Sequence, residues 1–286
     1  MQFIKMHGLG NDFVITVGES IGPDPGELAR RICDRHFGVG ADGLVFILPA
    51  ESADLQMRIF NPDGSEAEMC GNAIRCVAKY AFESGMVERT EFRMETGAGV
   101  LSPRLFVEAG LVKEVEVDMG RPVLERERIP MQGPPGRVIN EPLDVAGEAY
   151  RITAVSFGNP HCVVFVTDVS AINLPVVGPV IENHPAFPRR TNVEFVQVLS
   201  PDSTRVRVWE RGAGETLACG TGACAAAVAG FLNGLTGRRV LVRLPGGDLS
   251  IFWAEDDHVY MTGPAVAVFE GRWISEVRGR KSEAKN

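Results

Sequence analysis

MRIFNPDGSEAEMCGNAIRC, residues 57–76, is matched without a gap by VRVWERGAGETLACGTGACA, residues 206–225. The offset is 149 positions, from Cys70 to Cys219. Arg58 meets Arg207, Phe60 meets Trp209 and Glu66 meets Glu215; further on, Phe82 meets Phe231 and Gly85 meets Gly234. Gly10-Asn11 and Gly158-Asn159 match at the neighbouring offset of 148. Bulky, charged and glycine positions kept in step over such a span predict two similar halves, each carrying one Cys-Gly element. The stretch 121–150, rich in Pro, Gly and charge, separates them, so the halves are expected at residues 1–118 and 119–263.

Within each half a strand-like run, MRIF or RVRVW, leads through a loop into a helix start. After Cys70, the residues Ile74, Val77, Ala78, Ala81 and Phe82 follow helical spacing, while Arg75, Lys79 and Glu83 share the opposite, polar face. Gly85 fits a C-cap. The partner segment GTGACAAAVAGFLNG is apolar on every side up to Gly234, which predicts a buried central helix. GLVFI, EVEVDM, CVVFV, VEFVQV, VLVRL and YMTG read as further strands. Many strands around one helix per half predict an α+β architecture rather than alternating βαβ units.

The 286 residues are 45% hydrophobic and 23% charged, the composition of a soluble globular protein. A net charge of -8 argues against nucleic acid or an anionic membrane as partner, while leaving room for an anionic small substrate. The N-terminal MQFIKMHGLGNDF carries Lys5 and His7 where a signal peptide needs an unbroken apolar run, and AAAVAGFL (225–232) is too short to span a bilayer. A cytoplasmic location is expected. Six cysteines without C-x-x-C spacing are too few for a disulfide scaffold, and five histidines without close pairs predict no metal site. GVGADG (38–43) fits G-x-G-x-x-G, but a helix-like segment precedes it and a strand-like one follows, the reverse of a dinucleotide site.

Cys33, Cys76, Cys162 and Cys224 lie in apolar or helical patterns and read as small buried hydrophobes. Cys70 and Cys219 sit where helices begin. There the macrodipole is expected to lower a thiol pKa toward roughly 3.5–7.5. Gly71-Asn72 and Gly220-Thr221 place free backbone N–H groups beside each sulfur, so each element is an anion site next to a thiol. Two copies suggest one site between the halves, approached by a thiol from each side. Racemisation beside a carboxylate needs that layout: one group takes the α-proton from one face and the other returns a proton to the opposite face. No cofactor is required, and the lysines do not stand in recognisable pyridoxal contexts. A reversible dithiol sensor would explain the two sulfurs but not the repeated anion sites. His161, in FGNPHC, follows the repeated Gly-Asn and reads equally as a site residue or as a histidine satisfied by backbone.

The paired segments NPDGSEAEMCGNAIRC and ERGAGETLACGTGACA closely resemble the two active-site segments of the diaminopimelate epimerases. KMHGLGNDF, GVGADG, GNPHC, TNVEF, LPGG and MTGPA resemble that family too, over nearly the whole chain. The resemblance implies two pseudo-symmetric domains, each a curved, mainly antiparallel sheet or barrel around a central helix, with residues 264–286 returning to the first half. It implies a pyridoxal-independent isomerase that interconverts L,L- and meso-diaminopimelate, an amino-acid substrate on the route to lysine and peptidoglycan, and it allows a homodimer. By the family's motifs, Cys70 and Cys219 become proton acceptor and donor, with His161 and Glu210 in support. Asn11, Asn61, Gly71, Asn72, Asn159, Asn192, Glu210, Arg211, Gly220 and Thr221 become substrate-binding residues. Ala73 replaces a glycine frequent in CGNGxRC, and Asp42 stands where some members have glutamine, so no substrate contact is carried onto it. Proline and hydroxyproline racemases share the two-cysteine logic but typically read CGHG; Asn72 and the Glu210-Arg211 pair favour diaminopimelate.

Overall fold

The computed structural model describes residues 1–274. The chain opens with β1 (Gln2–Gly8) and β2 (Asn11–Val17), then α1 (Pro25–Cys33), β3 (Gly43–Leu48), β4 (Leu55–Phe60) and β5 (Glu66–Ala67). The first central helix α2 (Gly71–Glu83) follows, then β6 (Met94–Thr96) and β7 (Gly99–Leu101). A hairpin, β8 (Arg104–Glu108) and β9 (Leu111–Asp118), leads to β10 (Glu141–Val145), β11 (Glu148–Ser156) and β12 (Pro160–Phe165). Then come α3 (Leu174–Glu182), β13 (Asn192–Ser200), β14 (Ser203–Glu210), β15 (Gly214–Thr216) and the second central helix α4 (Gly220–Leu232). The last strands are β16 (Arg239–Leu244), β17 (Gly247–Trp253), β18 (Val259–Gly263) and β19 (Val266–Arg272).

Two sheets result. The first has the order β19-β1-β2-β3-β4-β6-β7, with β5 beside β4. The second runs β10-β11-β12-β13-β14-β16-β17-β18-β9-β8, with β15 beside β14. The repeat is visible strand by strand. Both sheets are mainly antiparallel but contain two parallel pairs each, β2/β3 and β4/β6 in one, β12/β13 and β14/β16 in the other. Even an ion pair is copied: Arg58 Nε lies 2.6 Å from Glu66 Oε1, and Arg207 Nη2 lies 2.8 Å from Glu215 Oε1. α2 packs against β9, β1 and β2, and α4 against the strands from β11 to β18.

The hairpin at residues 104–118, assigned to the first half from sequence, divides its loyalties. β9 packs on α2 but bonds to β18, so its backbone belongs to the second sheet. At the other end the chain returns: β19 pairs antiparallel with β1, Gln2 opposite Arg272, and the Trp273 amide donates to the Met1 carbonyl at 2.8 Å. Residues 275–286 of that expected return lie outside the described residues. No helix among the described residues is long and apolar enough to cross a membrane.

Sequence chemistry explains both central helices. α4 buries nine of its residues, Gly222 to Gly230, as an all-apolar segment must. Gly85 and Gly234 follow the helix ends with φ of +75° and +67°, conformations that a side chain disfavours. The GVGADG segment joins α1 to β3, as the helix-then-strand reading requires.

That turn is held by charge. Asp12 accepts from Lys5 Nζ at 2.7 Å and from Arg35 Nη2 at 2.9 Å, and Arg35 also reaches Asp42 at 2.7 Å. Burial alone would raise the Asp12 pKa, but the hydrogen bonds to Arg35, Lys5 and Asp42 outweigh it and hold the group at about 2. A carboxyl whose folded pKa is depressed stabilises the protein above its unfolded value and loses that contribution as pH falls through the folded one. The urea midpoint should therefore drop between about pH 4 and about pH 2 more steeply in the wild type than in Asp12→Asn. Parallel curves for the two proteins would remove Asp12 as the cause.

Candidate active site between the two central helices

Cys70 and Cys219 are the N-cap residues of α2 and α4, each with an extended backbone. The Cys219 sulfur accepts from the Gly222 amide at 3.3 Å, and the Cys70 sulfur lies 3.8 Å from Asn11 Oδ1. Both line one cavity of about 470 Å³, walled also by Asn11, Asn72, Asn159, Glu210 and Thr221. The glycines after each cysteine are needed for close approach. A Cβ at Gly71 would stand 2.7 Å from Met261 Cε, and one at Gly220 would stand 3.0 Å from Met261 Sδ, so a single methionine packs beneath both helix starts.

The repeated Gly-Asn turns face each other across this cavity. Gly10 and Gly158 have φ of +87° and +93°, which explains glycine at both. Asn72 Nδ2 donates to Asn11 Oδ1 at 3.0 Å in one half; Asn159 Nδ2 donates to Thr221 Oγ1 at 3.3 Å in the other. A second cavity of about 790 Å³ adjoins the first, sharing Asn11, Glu210 and Ala218, and is walled by Asn61, Asp42 and Arg211. Glu210 accepts from Thr216 and is not paired with Arg211, whose Nη1 donates to the Arg189 carbonyl at 3.1 Å.

Two sequence candidates stand behind the walls rather than in them. Asn192 spends its amide on backbone, donating to the Pro160 carbonyl and accepting from the Arg211 amide, both at 2.9 Å. His161 is fully buried, with Nδ1 2.7 Å from Glu194 Oε1 and Nε2 3.1 Å from Asn159 Oδ1. Glu194 was missed in the sequence. Its place in VEFVQV gave no sign that it is 0% exposed, with Oε2 left without a partner.

The thiols correct an expectation. Burial pushes Cys70 above its ordinary range against the pull of the Ala73 and Asn72 amides and of Arg75; Glu210 pushes it further. Cys219 is raised well above that range by burial and then by Glu210 and Glu194, which Thr221 and the Gly222 amide only partly offset. A helix end contributes about 0.3–1 kcal/mol, up to about 2. Full burial can move a group by about 3–5 pK units, or roughly 4–7 kcal/mol. Desolvation outweighs the helix ends, and it raises both thiols rather than lowering them.

Comparison with known proteins decides the family. The family model described as diaminopimelate epimerase matches residues 3–125 and 153–268. The chain belongs to the diaminopimelate epimerase family. It is accordingly an enzyme of the isomerase class. A diaminopimelate epimerase of Pelotomaculum thermopropionicum is 65% identical over 277 residues, covering 96% of this chain and 99% of that one. One of Moorella thermoacetica is 61% identical, covering 95% and 98%. More remote chains share the fold of this family. A hydroxyproline epimerase of Agrobacterium vitis, solved with bound trans-4-hydroxy-L-proline, superposes with a TM-score of 0.69 at 18% identity, covering 95% of this chain and 91% of that one. A PhzF-family phenazine biosynthesis protein of Bacillus anthracis gives 0.71 at 18%, covering 96% and 99%.

Proposed function

We propose that this enzyme interconverts L,L- and meso-diaminopimelate by a two-base mechanism that uses no pyridoxal, in the cytoplasm, on the route to lysine and peptidoglycan precursors. The observation that carries the reading is that both Cys-Gly helix starts of the repeat open into one cavity. One cysteine, as thiolate, takes the α-proton; the other, as thiol, protonates the opposite face of the same carbon. The carbon is inverted, and the two sulfurs have exchanged protonation states. The carboxylate that takes up carbanion charge faces the backbone N–H groups of Gly71-Asn72 and Gly220-Thr221, at the positive ends of α2 and α4. His161 and Glu210 are the supporting polar pair near the reacting amino group, with Glu210 in the wall common to both cavities.

The adjoining cavity suits the ammonium and carboxylate at the unreactive end of a long substrate. Arg211 is the group for the carboxylate, and Asn11, Asn61, Asn159 and Asn192 supply or position donors and acceptors without added charge. A site built from such groups leaves them unpaired when the distal groups are missing, so proline, alanine and lysine should be very poor substrates. The test is α-proton exchange in deuterated water with L,L-diaminopimelate and with L-proline, side by side. Exchange should be confined to diaminopimelate. Faster exchange with proline would overturn the substrate while leaving the two-cysteine chemistry standing.

A further inference from the structure

The mechanism above leaves one buried charge unused. Arg75 heads the fully buried side chains in volume, and among the described residues it has no carboxylate partner. Other buried cations have one: Lys5 pairs with Asp12, and Arg126 with Glu141. Arg75 instead donates from Nη2 to Asn72 Oδ1 at 2.8 Å, from Nε to the Pro264 carbonyl at 3.2 Å and from Nη1 to the Gly71 carbonyl at 3.3 Å. Nη1 also lies 3.8 Å from Met261 Sδ, the methionine beneath both helix starts. The guanidinium thus stands directly behind the floor of the cavity.

Guanidinium keeps its proton in a protein interior, so this is a permanent positive charge. An unpaired buried ion is strongly unfavourable unless something compensates it. The fold nonetheless reserves space for it. A Cβ at Gly8 would stand 2.9 Å from Nη2, and one at Gly263 would stand 3.6 Å from Nε. Both glycines belong to segments, KMHGLGNDF and MTGPA, that also carry Asn11, 3.8 Å from the Cys70 sulfur, and Met261. The charge is also where the two halves stop matching. The counterpart of Arg75 at the offset of 149 is Cys224, and the counterpart of the buried Glu194 is Val45. Arg75 therefore bears on Cys70 and Glu194 on Cys219, while Glu210 bears on both.

We propose that Arg75 is the fixed cation of the site: a positioning residue that holds the Asn72 amide toward Asn11 and supplies the charge balancing the anion that forms beside Cys70. This rests on the two-cysteine reading and adds to it a physical difference between the two sulfurs. The missing counter-ion is then transient: the Cys70 thiolate, or the reacting carboxylate as it gains charge. The ionisable groups that face this region are Glu68 and Glu210 in the cavity wall, Cys219 across it, His161 and Glu194 behind Cys219, and the buried thiols Cys76 and Cys224. Arg75 is the permanent cation in that set.

The test is alkylation by iodoacetamide across pH, read separately at Cys70 and Cys219 by peptide mapping, in the wild type, Arg75→Met and Arg75→Lys. In the wild type the Cys70 midpoint should lie at lower pH than that of Cys219. In Arg75→Met the Cys70 midpoint should rise by a unit or more, slowing its alkylation about tenfold at a fixed pH below the midpoint. The alkaline rise of kcat/KM should move with it. Arg75→Lys should keep the midpoint while losing turnover, because an ammonium cannot reproduce the planar fork on Asn72. Thermal melting establishes that each variant is folded, and the wild-type order of the two sulfurs decides the matter if Arg75→Met is not. An unmoved midpoint in folded Arg75→Met, or Cys219 titrating first in the wild type, would overturn the proposal. A shifted midpoint together with an active Cys70→Ala would leave the role of Arg75 intact and sink the two-cysteine reading instead.

Discussion

Cys70→Ala and Cys219→Ala should each lower epimerisation by at least about 10²–10⁴-fold, the usual contribution of one positioned acid or base. The two losses should be comparable, because inversion needs a proton removed on one face and delivered on the other, and the surviving sulfur can serve one face alone. Alanine fills nearly the volume of cysteine, so both variants should stay folded. Cys76→Ala and Cys224→Ala provide the contrast. Both residues are fully buried inside α2 and α4, and their loss should cost about 1 kcal/mol of stability with turnover kept. Near wild-type turnover in either Cys70→Ala or Cys219→Ala, measured by coupled assay or by optical rotation, would end the two-base assignment.

Glu194→Ala should be the most damaging change outside the sulfurs. Glu194 and His161 are both 0% exposed and 2.7 Å apart. Burial raises the pKa of Glu194, and the facing His161 offsets that only in part. With Asn159 donating to Thr221, its Oδ1 accepts from His161 Nε2, and the carboxylate at Nδ1 completes a chain of bonds ending at α4. Removing one partner of a buried pair leaves the other uncompensated, at about 3–5 kcal/mol. Urea unfolding should show a loss of that order, with Asn159 and Thr221 misaligned in whatever remains folded. Glu194→Gln keeps the volume and removes the charge that raises Cys219, so alkylation of Cys219 should move to lower pH. A loss below about 1 kcal/mol in Glu194→Ala would mean that the pair contributes no more than one at the surface.

What the sequence revealed is what repeats. The offset of 149 located both N-caps, both central helices and the copied Arg58–Glu66 and Arg207–Glu215 pairs, because duplicated structure preserves spacing. What it hid is what breaks the repeat. Arg75 was placed on the polar face of α2, since helical periodicity assumes that polar means solvent; the face it occupies meets Pro264 and Met261 instead. Glu194 was passed over because one carboxylate in a strand reads as outward-facing. The thiol pKa values were misjudged for a related reason: a helix start can be read locally, whereas the burial that overrides it comes from segments distant in sequence, among them the other half of the repeat. The hairpin 104–118 was divided between halves by hydrogen bonds that no local pattern encodes.

The pairing of β19 with β1 has a meaning for the chain while it is being made. Gln2 waits for Arg272, so the first sheet keeps an unfilled edge until almost everything else has emerged from the ribosome. An open edge of that kind invites pairing with other nascent chains. Translation that stops before residue 266 would release a polypeptide holding both cysteines yet carrying a sticky border, and quality control would meet it as an aggregating fragment rather than as a weakened catalyst.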